Sequence, residues 1–296
     1  MKRIGILGSD NSHALAFAKI INLPDSSGRM AFPDLRVVGV YGENDVENQK
    51  VFAEGRLDFI AEQPADMLGH VDAVIVDFRH GGKHAPAALP YVQAGLPCFV
   101  DKPFTVTMAD AYALVDAATA SGAPLMGGSA CKLVPDIAQL AEVMKGQTPG
   151  VGEIVSGMMN YPGDTRSEYA GLFFYGPHLV EMGLAVFGQD VQSVRAVENH
   201  GQVTAIARYD HYDITWQFTR DNWIGGCALC GVDGNHFCQI DFSASYELEM
   251  QAFADMLRTG KSAQTHEQLI KPVAVLSALV AAIEQDREVL ISEFER

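Results

Sequence analysis

Residues 71–104 read VDAVIVDFRHGGKHAPAALPYVQAGLPCFVDKPF, and this stretch decides the fold. Its first six residues are almost continuously apolar, which is typical of a strand covered on both faces of a sheet. A helical pattern follows over residues 86–94 and ends at Gly95, and residues 98–100 form the next apolar strand. A strand, a helix and a second strand in this order predict two parallel strands joined by a crossover helix.

The same alternation extends in both directions from this stretch. The pattern predicts strands over residues 3–7 and 35–41 and helices over residues 14–21 (with Ser12 as N-cap), 45–53 and 108–120. Repeated strand and helix signals of this kind favour a doubly wound parallel sheet.

From Gly152 the pattern changes to one that favours an antiparallel sheet. It predicts strands over residues 153–160, 191–199, 203–218 and 226–242, with hairpin-turn residues GVDG at 231–234, and helices over residues 179–187, 247–258 and 269–284. We therefore predict an α/β protein with two domains. Residues 1–122 form a Rossmann-type nucleotide-binding domain with a doubly wound parallel sheet. Residues 123–296 form an α+β domain for substrate binding and oligomerisation, with a mainly antiparallel open sheet.

The composition excludes several classes of partner. The formal net charge of −16 leaves no basic patch to neutralise phosphates, so we expect neither nucleic acid nor an anionic membrane surface as a partner. No signal-peptide core and no run of about 20 apolar residues is evident, so we expect a cytoplasmic protein. Five cysteines in 296 residues do not indicate a disulfide framework.

The loop after the first strand departs from a dinucleotide-binding pattern. It reads GILGSDNSHALAF over residues 5–17, with Gly8 at the first glycine position, Asp10 at the second and His13 at the third. A carboxylate at the point of closest backbone approach repels a pyrophosphate, so we expect Asp10 to weaken nucleotide binding. This loop alone leaves open a Rossmann-type domain that binds nucleotide poorly or not at all.

Three segments together resemble the Gfo/Idh/MocA family of NAD(P)-dependent sugar and polyol dehydrogenases. They are residues 71–104, which end in Asp101-Lys102-Pro103, the strand GEIVSGMMNY over residues 152–161, and YELEMQAFADMLRTGKSAQTHEQLIKPVAVLSALVAAIEQ over residues 246–285. The resemblance implies NAD or NADP as cofactor and a small hydroxylated molecule as substrate. It also implies a homodimer or homotetramer, because the open sheet of the second domain leaves a face to be covered.

The resemblance also implies a catalytic pair. Lys102 at the end of a sheet strand faces the ligand crevice, where its ammonium can stabilise a developing alkoxide. His178 matches the histidine of the family's Asp-x-x-x-His motif, but Phe174 stands where the aspartate is expected. We expect Lys102 and His178 to be catalytic and to lie in one cleft. We expect Lys102, Tyr161, His178 and Glu181 to bind substrate. The expected cofactor contacts are Gly8, Asp10, Asn11, Ser12, His13, Tyr41, His80, Asp101 and Lys102.

Alternative functions stay open at this point. Loss of two loop glycines and of the helix aspartate is also typical of a non-catalytic ligand-binding or regulatory protein on the same scaffold. We expect no metal site, because Cys227 and Cys230, three apart on a predicted strand, point to opposite faces. A less favoured metal arrangement would join Asp10, His13, His80 and His84 at the strand ends.

Overall fold

A computed structural model describes all residues 1–296 and divides them into two compact units. The first unit contains residues 1–128 and 246–269, and the second contains residues 129–245 and 270–296. The predicted boundary at residue 122 precedes the last strand of the first sheet. A segment near the C-terminus also returns to the first unit, so the units are not two simple halves of the sequence.

The first unit contains a six-stranded parallel sheet in the order β3-β2-β1-β4-β5-β6. This order is the one found in dinucleotide-binding Rossmann folds. The strands are β1 Lys2–Leu7, β2 Leu35–Tyr41, β3 Phe59–Ile60, β4 Ala73–Val76, β5 Cys98–Asp101 and β6 Leu125–Gly128. The helices are α1 Ser12–Asn22, α2 Asp45–Glu54, α3 His84–Gln93 and α4 Met108–Ser121, and α7 Ser245–Thr259 lies almost entirely in the returning segment. The predicted parallel Rossmann-type sheet is confirmed.

Local side-chain chemistry explains where the helices of this unit begin and end. Asn11 caps α1, because its side chain accepts a hydrogen bond from the backbone N–H of His13, and it takes the position predicted for Ser12. Thr107 caps α4 in the same way through the N–H of Asp110. Gly122 ends α4 with φ +73°, a conformation that glycine adopts without a steric penalty.

The second unit contains a seven-stranded sheet in the order β12-β11-β7-β10-β9-β8-β13. Its strands are β7 Ile154–Pro162, β8 Ser193–Asn199, β9 Gln202–Arg208, β10 Asp213–Thr219, β11 Gly226–Gly231, β12 Asn235–Gln239 and β13 Val289–Leu290. Its helices are α5 Pro135–Met144, α6 Gly176–Phe187 and most of α8 His266–Gln285. Only β7 and β10 pair in parallel, so the predicted mainly antiparallel sheet is confirmed.

Helix α6 covers one face of this sheet. Gly183 of α6 packs so closely on Trp216 of β10 that a methyl group there would lie 2.6 Å from the indole nitrogen. On the other face, aligned side chains of five strands remain accessible to different degrees, including Phe237, Met158 and Ile206. The sheet therefore has one covered and one open face.

Helix α8 is long and apolar enough to cross a membrane by length and composition alone. However, 61% of its most apolar window is buried inside the protein, as is typical of a core helix. The helix therefore gives no indication of a membrane span.

Candidate functional site

Five polar residues converge where β1, β4 and β5 end, at the point where the strand order of the parallel sheet reverses. They are Asn11, His13, Asp77, Asp101 and Lys102, and we call them the carboxylate cluster. Asp77 directly follows β4, and Asp101 is the last residue of β5. Both aspartates are 0% exposed and Lys102 is 3% exposed, so the cluster lies inside the protein.

Short hydrogen bonds join the members of the cluster. The amide nitrogen of Asn11 donates to Asp77 Oδ1 at 2.7 Å and to Asp101 Oδ2 at 3.4 Å. The ring Nδ1 of His13 lies 2.8 Å from Asp101 Oδ2. The second oxygens, Asp77 Oδ2 and Asp101 Oδ1, have no hydrogen-bond donor. Buried oxygens without partners are rare, so a proton or a ligand is expected between the two carboxyl groups.

The two carboxyl groups have opposite pKa shifts. Burial raises the pKa of Asp77 well above its ordinary value, and the negative charge of Asp101 raises it further. Burial also raises the pKa of Asp101, but His13 and Lys102 outweigh this effect and hold it well below its ordinary value. Asp77 is therefore the protonated partner and Asp101 the ionised one, and a proton on Asp77 accounts for the two oxygens without donors.

The same cluster has the ligand types of a metal site. Ligating atoms of His13, Asp77 and Asp101 all lie within 4.8 Å of one another. The charge of Lys102, which lowers the pKa of both aspartates, already supplies the positive charge that a metal ion would bring. We therefore interpret the cluster as a proton-sharing network.

The loop between β1 and α1 is held by its neighbours on the sheet. Gly8 has φ +110°, and a methyl group on it would lie 2.4 Å from the backbone nitrogen of Phe78, so only glycine fits. Asp10 Oδ1 accepts a hydrogen bond from the backbone N–H of Arg79 at 3.2 Å. The His13 ring is buried and turned toward Asp101. The two side chains that replace loop glycines, those of Asp10 and His13, therefore have partners within the protein.

The remaining predicted cofactor residues lie near the same strand ends. Ser12 is the exposed first residue of α1. The carbonyl oxygen of Tyr41 accepts from the N–H of Gly8 at 2.7 Å, which joins the end of β2 to this loop. The ring Nδ1 of His80 accepts from the N–H of Gly82 at 3.1 Å and caps a short turn after β4. The structure thus brings the predicted cofactor residues to one edge of the sheet.

In the second unit, His178 is buried at the start of α6 and oriented by Ser129. Its Nδ1 lies 2.7 Å from Ser129 Oγ and 3.4 Å from Cys131 Sγ. Ser129 Oγ also accepts the N–H of Cys131 at 3.1 Å, which fixes the hydroxyl oxygen in place. Since a hydroxyl can donate or accept, Ser129 supports either tautomer of the neutral imidazole.

Glu181 lies one turn after His178 and is held from two sides. Oε1 accepts the backbone N–H of Ser129 at 2.9 Å, and Oε2 forms an ion pair with Lys132 at 2.5 Å. Glu181 is 4% exposed, so it anchors the segment that carries Ser129. Its predicted role in substrate binding stays a prediction.

Aromatic rings surround His178. Tyr161 and Tyr175 both have ring centroids 5.6 Å from the His178 ring. Phe174 packs against Tyr175 at 4.9 Å, edge to face. A phenylalanine ring, rather than a carboxylate, therefore lies one turn before the histidine.

His84 is held by two backbone carbonyl groups. Its Nδ1 lies 2.7 Å from the carbonyl oxygen of Pro103, and its Nε2 lies 2.7 Å from that of Phe78. Burial lowers the pKa of His84, although hydrogen bonds to the two carbonyl groups oppose this shift. Both ring nitrogens face protein carbonyl groups, so His84 has a structural role and is not placed to bind a metal ion.

The cysteine pair on β11 has the geometry expected of a strand. Cys227 is buried on the covered face, whereas Cys230 is only half-buried on the other. Cys227 pairs in register with Cys238, and burial raises the pKa of the Cys227 thiol to about 12. A protonated thiol of this kind is a poor metal ligand.

Sequence reasoning missed three residues of these networks: Asp77, Ser129 and Lys132. Asp77 carried a usable signal, because an acidic residue directly after a continuously apolar strand lies at a crevice edge. Ser129 and Lys132 follow β6, a strand that the pattern did not predict, so no local signal marked them.

Comparisons with known proteins agree with this fold. Residues 2–129 match the family model described as "Oxidoreductase family, NAD-binding Rossmann fold", GFO_IDH_MocA. The structure of scyllo-inositol dehydrogenase from Lactobacillus casei with bound NAD(H) and scyllo-inositol is similar, with a TM-score of 0.82, 14% identity and 99% of each chain covered. Myo-inositol dehydrogenase from Corynebacterium glutamicum ATCC 13032 is also similar, with a TM-score of 0.80, 15% identity and 98% of each chain covered. No curated protein sequence matches the chain. At these identities the structural likeness concerns the fold alone.

Proposed function

Because residues 2–129 match the Gfo/Idh/MocA oxidoreductase family model, we propose that this protein is an NAD(P)-dependent oxidoreductase. It transfers hydride between a nicotinamide cofactor and a sugar, polyol or related hydroxylated substrate. The observation that carries the proposal is the position of Lys102, which is buried directly after β5, one strand from the reversal point between β1 and β4. Ligands of such sheets bind outside the carboxyl ends of the strands at this point.

The residues of the nucleotide loop fit a dinucleotide. The N-terminus of α1 follows β1 after the loop of residues 8–11, and backbone N–H groups at a helix start favour a pyrophosphate. The His13 ring points into the protein toward Asp101, and Asp10 is held by the N–H of Arg79. These contacts accommodate the two departures from a glycine-rich loop, although the charge of Asp10 still opposes the phosphates. Gly8, Asn11, Ser12, Tyr41 and His80 complete the proposed cofactor contacts.

We assign two tasks to side chains of this protein: removal of the proton of the substrate hydroxyl, and stabilisation of the negative charge that develops on the substrate. When bound, the nicotinamide ring supplies the hydride acceptor. We assign proton removal from the substrate hydroxyl to Nε2 of His178, with Nδ1–H donating to Ser129. We assign to the ammonium of Lys102 the stabilisation of the negative charge that develops on the substrate as the C–O double bond forms. Tyr161, beside His178, is proposed to contact the substrate.

The direct test is cofactor reduction in the presence of a panel of cyclitols and sugars. Lys102→Ala and His178→Ala are each expected to lower turnover about a hundredfold, while Lys102→Arg keeps the charge and serves as matched control. Undiminished dehydrogenase activity in Lys102→Ala would refute the assignment. The choice between NAD and NADP is read from the same assay.

A second candidate is a non-catalytic ligand-binding or regulatory protein on the same scaffold. Phe174 favours it, because its ring stands where a carboxylate would assist His178. Titration with NADH separates the two candidates. The oxidoreductase binds the cofactor saturably, whereas the alternative predicts no binding or no turnover with any substrate tested.

We also propose a homo-oligomer that pairs through the open face of the second sheet. Phe237, Ala228, Met158, Thr215 and Ile206 lie in register on neighbouring strands and form one row. Four of the five are apolar and Phe237 is 72% exposed, and an exposed, largely apolar row of this kind is typical of an interface. Light scattering is expected to give the mass of a dimer or tetramer. Met158→Asp is expected to shift the measured mass toward that of the 32.0 kDa monomer. A monomeric parent protein at working concentration would exclude the interface.

A further inference from the structure

A cavity of about 620 Å³ opens in the second unit beside the ends of β7 and β10. Four aromatic residues line it, and we define the aromatic pocket by them: Tyr169, Phe174, Tyr175 and Trp223. The volume lies within the range of roughly 300–1,000 Å³ that is common for small-molecule sites. The pocket is therefore large enough for a substituent or a small ligand.

The four rings form a continuous wall. Ring centroids are 4.8 Å apart between Tyr169 and Phe174, 4.9 Å between Phe174 and Tyr175, and 5.1 Å between Tyr175 and Trp223. Trp223 is 59% exposed and the adjacent Ile224 is 57% exposed. Since the large aromatic side chain of Trp223 remains largely in water at this site, a ligand with an apolar face gains by covering it.

The charged residues of the pocket do not favour an anionic ligand. Arg166 and Arg220 lie among three acidic residues, Asp164, Glu168 and Asp221. Arg220 pairs with Asp221 at 3.3 Å, and the whole chain carries a net charge of −16. With no excess of positive charge at the site, an anionic ligand has no electrostatic advantage there.

The pocket adjoins His178 through one aromatic ring. Tyr175 lines the pocket and lies 5.6 Å from the His178 ring. We propose that the aromatic pocket binds a neutral aromatic or other flat apolar substituent of the substrate, whose hydroxylated part is presented to His178. The assignment of the neighbouring histidine rests on the proposed function. The chemical class that fits is a hydroxylated ring carrying an aryl group, rather than an unsubstituted polyol.

Tryptophan fluorescence tests this proposal without any cofactor. The chain has two tryptophans, of which Trp216 is fully buried and Trp223 lines the pocket. The protein is titrated with phenyl and methyl β-D-glucopyranoside and with the corresponding pair of galactopyranosides. In at least one pair, the phenyl compound is expected to change the emission saturably and to bind about tenfold more tightly, or better, than the methyl compound. Equal affinity in both pairs, or no saturable change, overturns the proposal.

Phe174→Asp places a charge in the aromatic wall and is expected to weaken phenyl glycoside binding about tenfold or more, measured by calorimetry. Val232→Asp is the matched control, because it introduces the same charge at an exposed apolar residue of the same unit, outside both the pocket and the proposed interface row. Phe174→Leu keeps an apolar side chain and is expected to give an intermediate loss if the aspartate variant fails to fold. Unchanged affinity in both Phe174 variants overturns the assignment. Aryl binding without hydride transfer would count against the proposed function only. Hydride transfer without a preference for aryl substrates would overturn only the proposal for the aromatic pocket.

Discussion

Replacement of Asp77 by asparagine tests the proton-sharing network directly. Asn11 donates to Oδ1 of Asp77, and an asparagine oxygen can accept that bond in the same position. The asparagine NH₂ group would replace the proton on Oδ2 and can donate toward Asp101 Oδ1, which has no other donor. Because the native side chain is already neutral, we expect Asp77→Asn to fold with little loss of stability near neutral pH.

The magnitude follows from the raised pKa of Asp77. In the unfolded chain this carboxyl group ionises near pH 4, whereas in the folded protein it stays protonated to a higher pH. The folded state therefore binds the extra proton, and stability is lost as pH rises through this window. The loss is at most about 1.4 kcal/mol per pH unit in the parent protein and absent in Asp77→Asn. The unfolding free energy of the variant minus that of the parent should rise by up to this amount per unit above about pH 5.

The assay is urea unfolding at pH 5, 6 and 7, followed by circular dichroism, with each transition fitted separately because the chain has two compact units. The comparison between the two proteins cancels the other titrating groups, and an infrared band of a protonated carboxyl group should be absent from the variant. Parallel stability curves for the two proteins would refute a protonated Asp77.

Asp101→Asn is the matched control with the opposite sign. The pKa of Asp101 is lowered in the folded state, so this carboxylate contributes stability above pH 4 that is lost as pH falls. Its removal takes away the partner of His13 at 2.8 Å and is expected to destabilise the protein by about 3 kcal/mol at pH 7. A small loss of stability in Asp101→Asn would mean that Asp101 is the protonated carboxyl group and Asp77 the ionised one.

Three further outcomes are expected. Asp10→Asn removes a charge but keeps an oxygen that accepts from the N–H of Arg79. NADH should therefore bind roughly fivefold more tightly in fluorescence titration, a gain of about 1 kcal/mol. Weaker binding would contradict the loop assignment. Ser129→Ala removes the hydroxyl at Nδ1 of His178, so it should lower kcat about tenfold, leave KM little changed and alter the pH profile of kcat. Ser129→Thr keeps a hydroxyl and should restore activity. An unaltered pH profile in Ser129→Ala would exclude this positioning role. Gly8→Ala forces a methyl group to 2.4 Å from a backbone nitrogen at φ +110° and should lower unfolding free energy by roughly 2–4 kcal/mol; an unchanged thermal melt would exclude that strain.

The sequence predicted most of the long elements because each has a strong local pattern. Strand β2 was predicted over residues 35–41 and is found at Leu35–Tyr41. The single strand predicted over residues 203–218 is two antiparallel strands, β9 and β10, joined by a turn. A run of alternating residues does not by itself reveal where the chain reverses, since the turn at residues 209–212 lacks a glycine signal.

The elements that the sequence missed are those whose formation depends on distant partners. Strand β6 (LMGG) is short and glycine-rich, and it exists because it pairs with β5. Strand β13 has two residues and pairs with β8, almost 100 positions away in the chain. Short strands of this kind gain their stability from the neighbouring strand, so no local propensity reveals them.

For the site, the sequence by itself determined that Lys102 ends a sheet strand and that Asp10 and His13 replace loop glycines, because order along the chain fixes which residues follow each strand. Only the tertiary structure decided the ionisation of Asp77 and Asp101, which depends on burial and on a neighbour 24 residues away. It also decided that Ser129 holds His178 across 49 residues of sequence. Hydrogen bonds and charge interactions act over a few ångströms in space, and the sequence pattern records only distances along the chain.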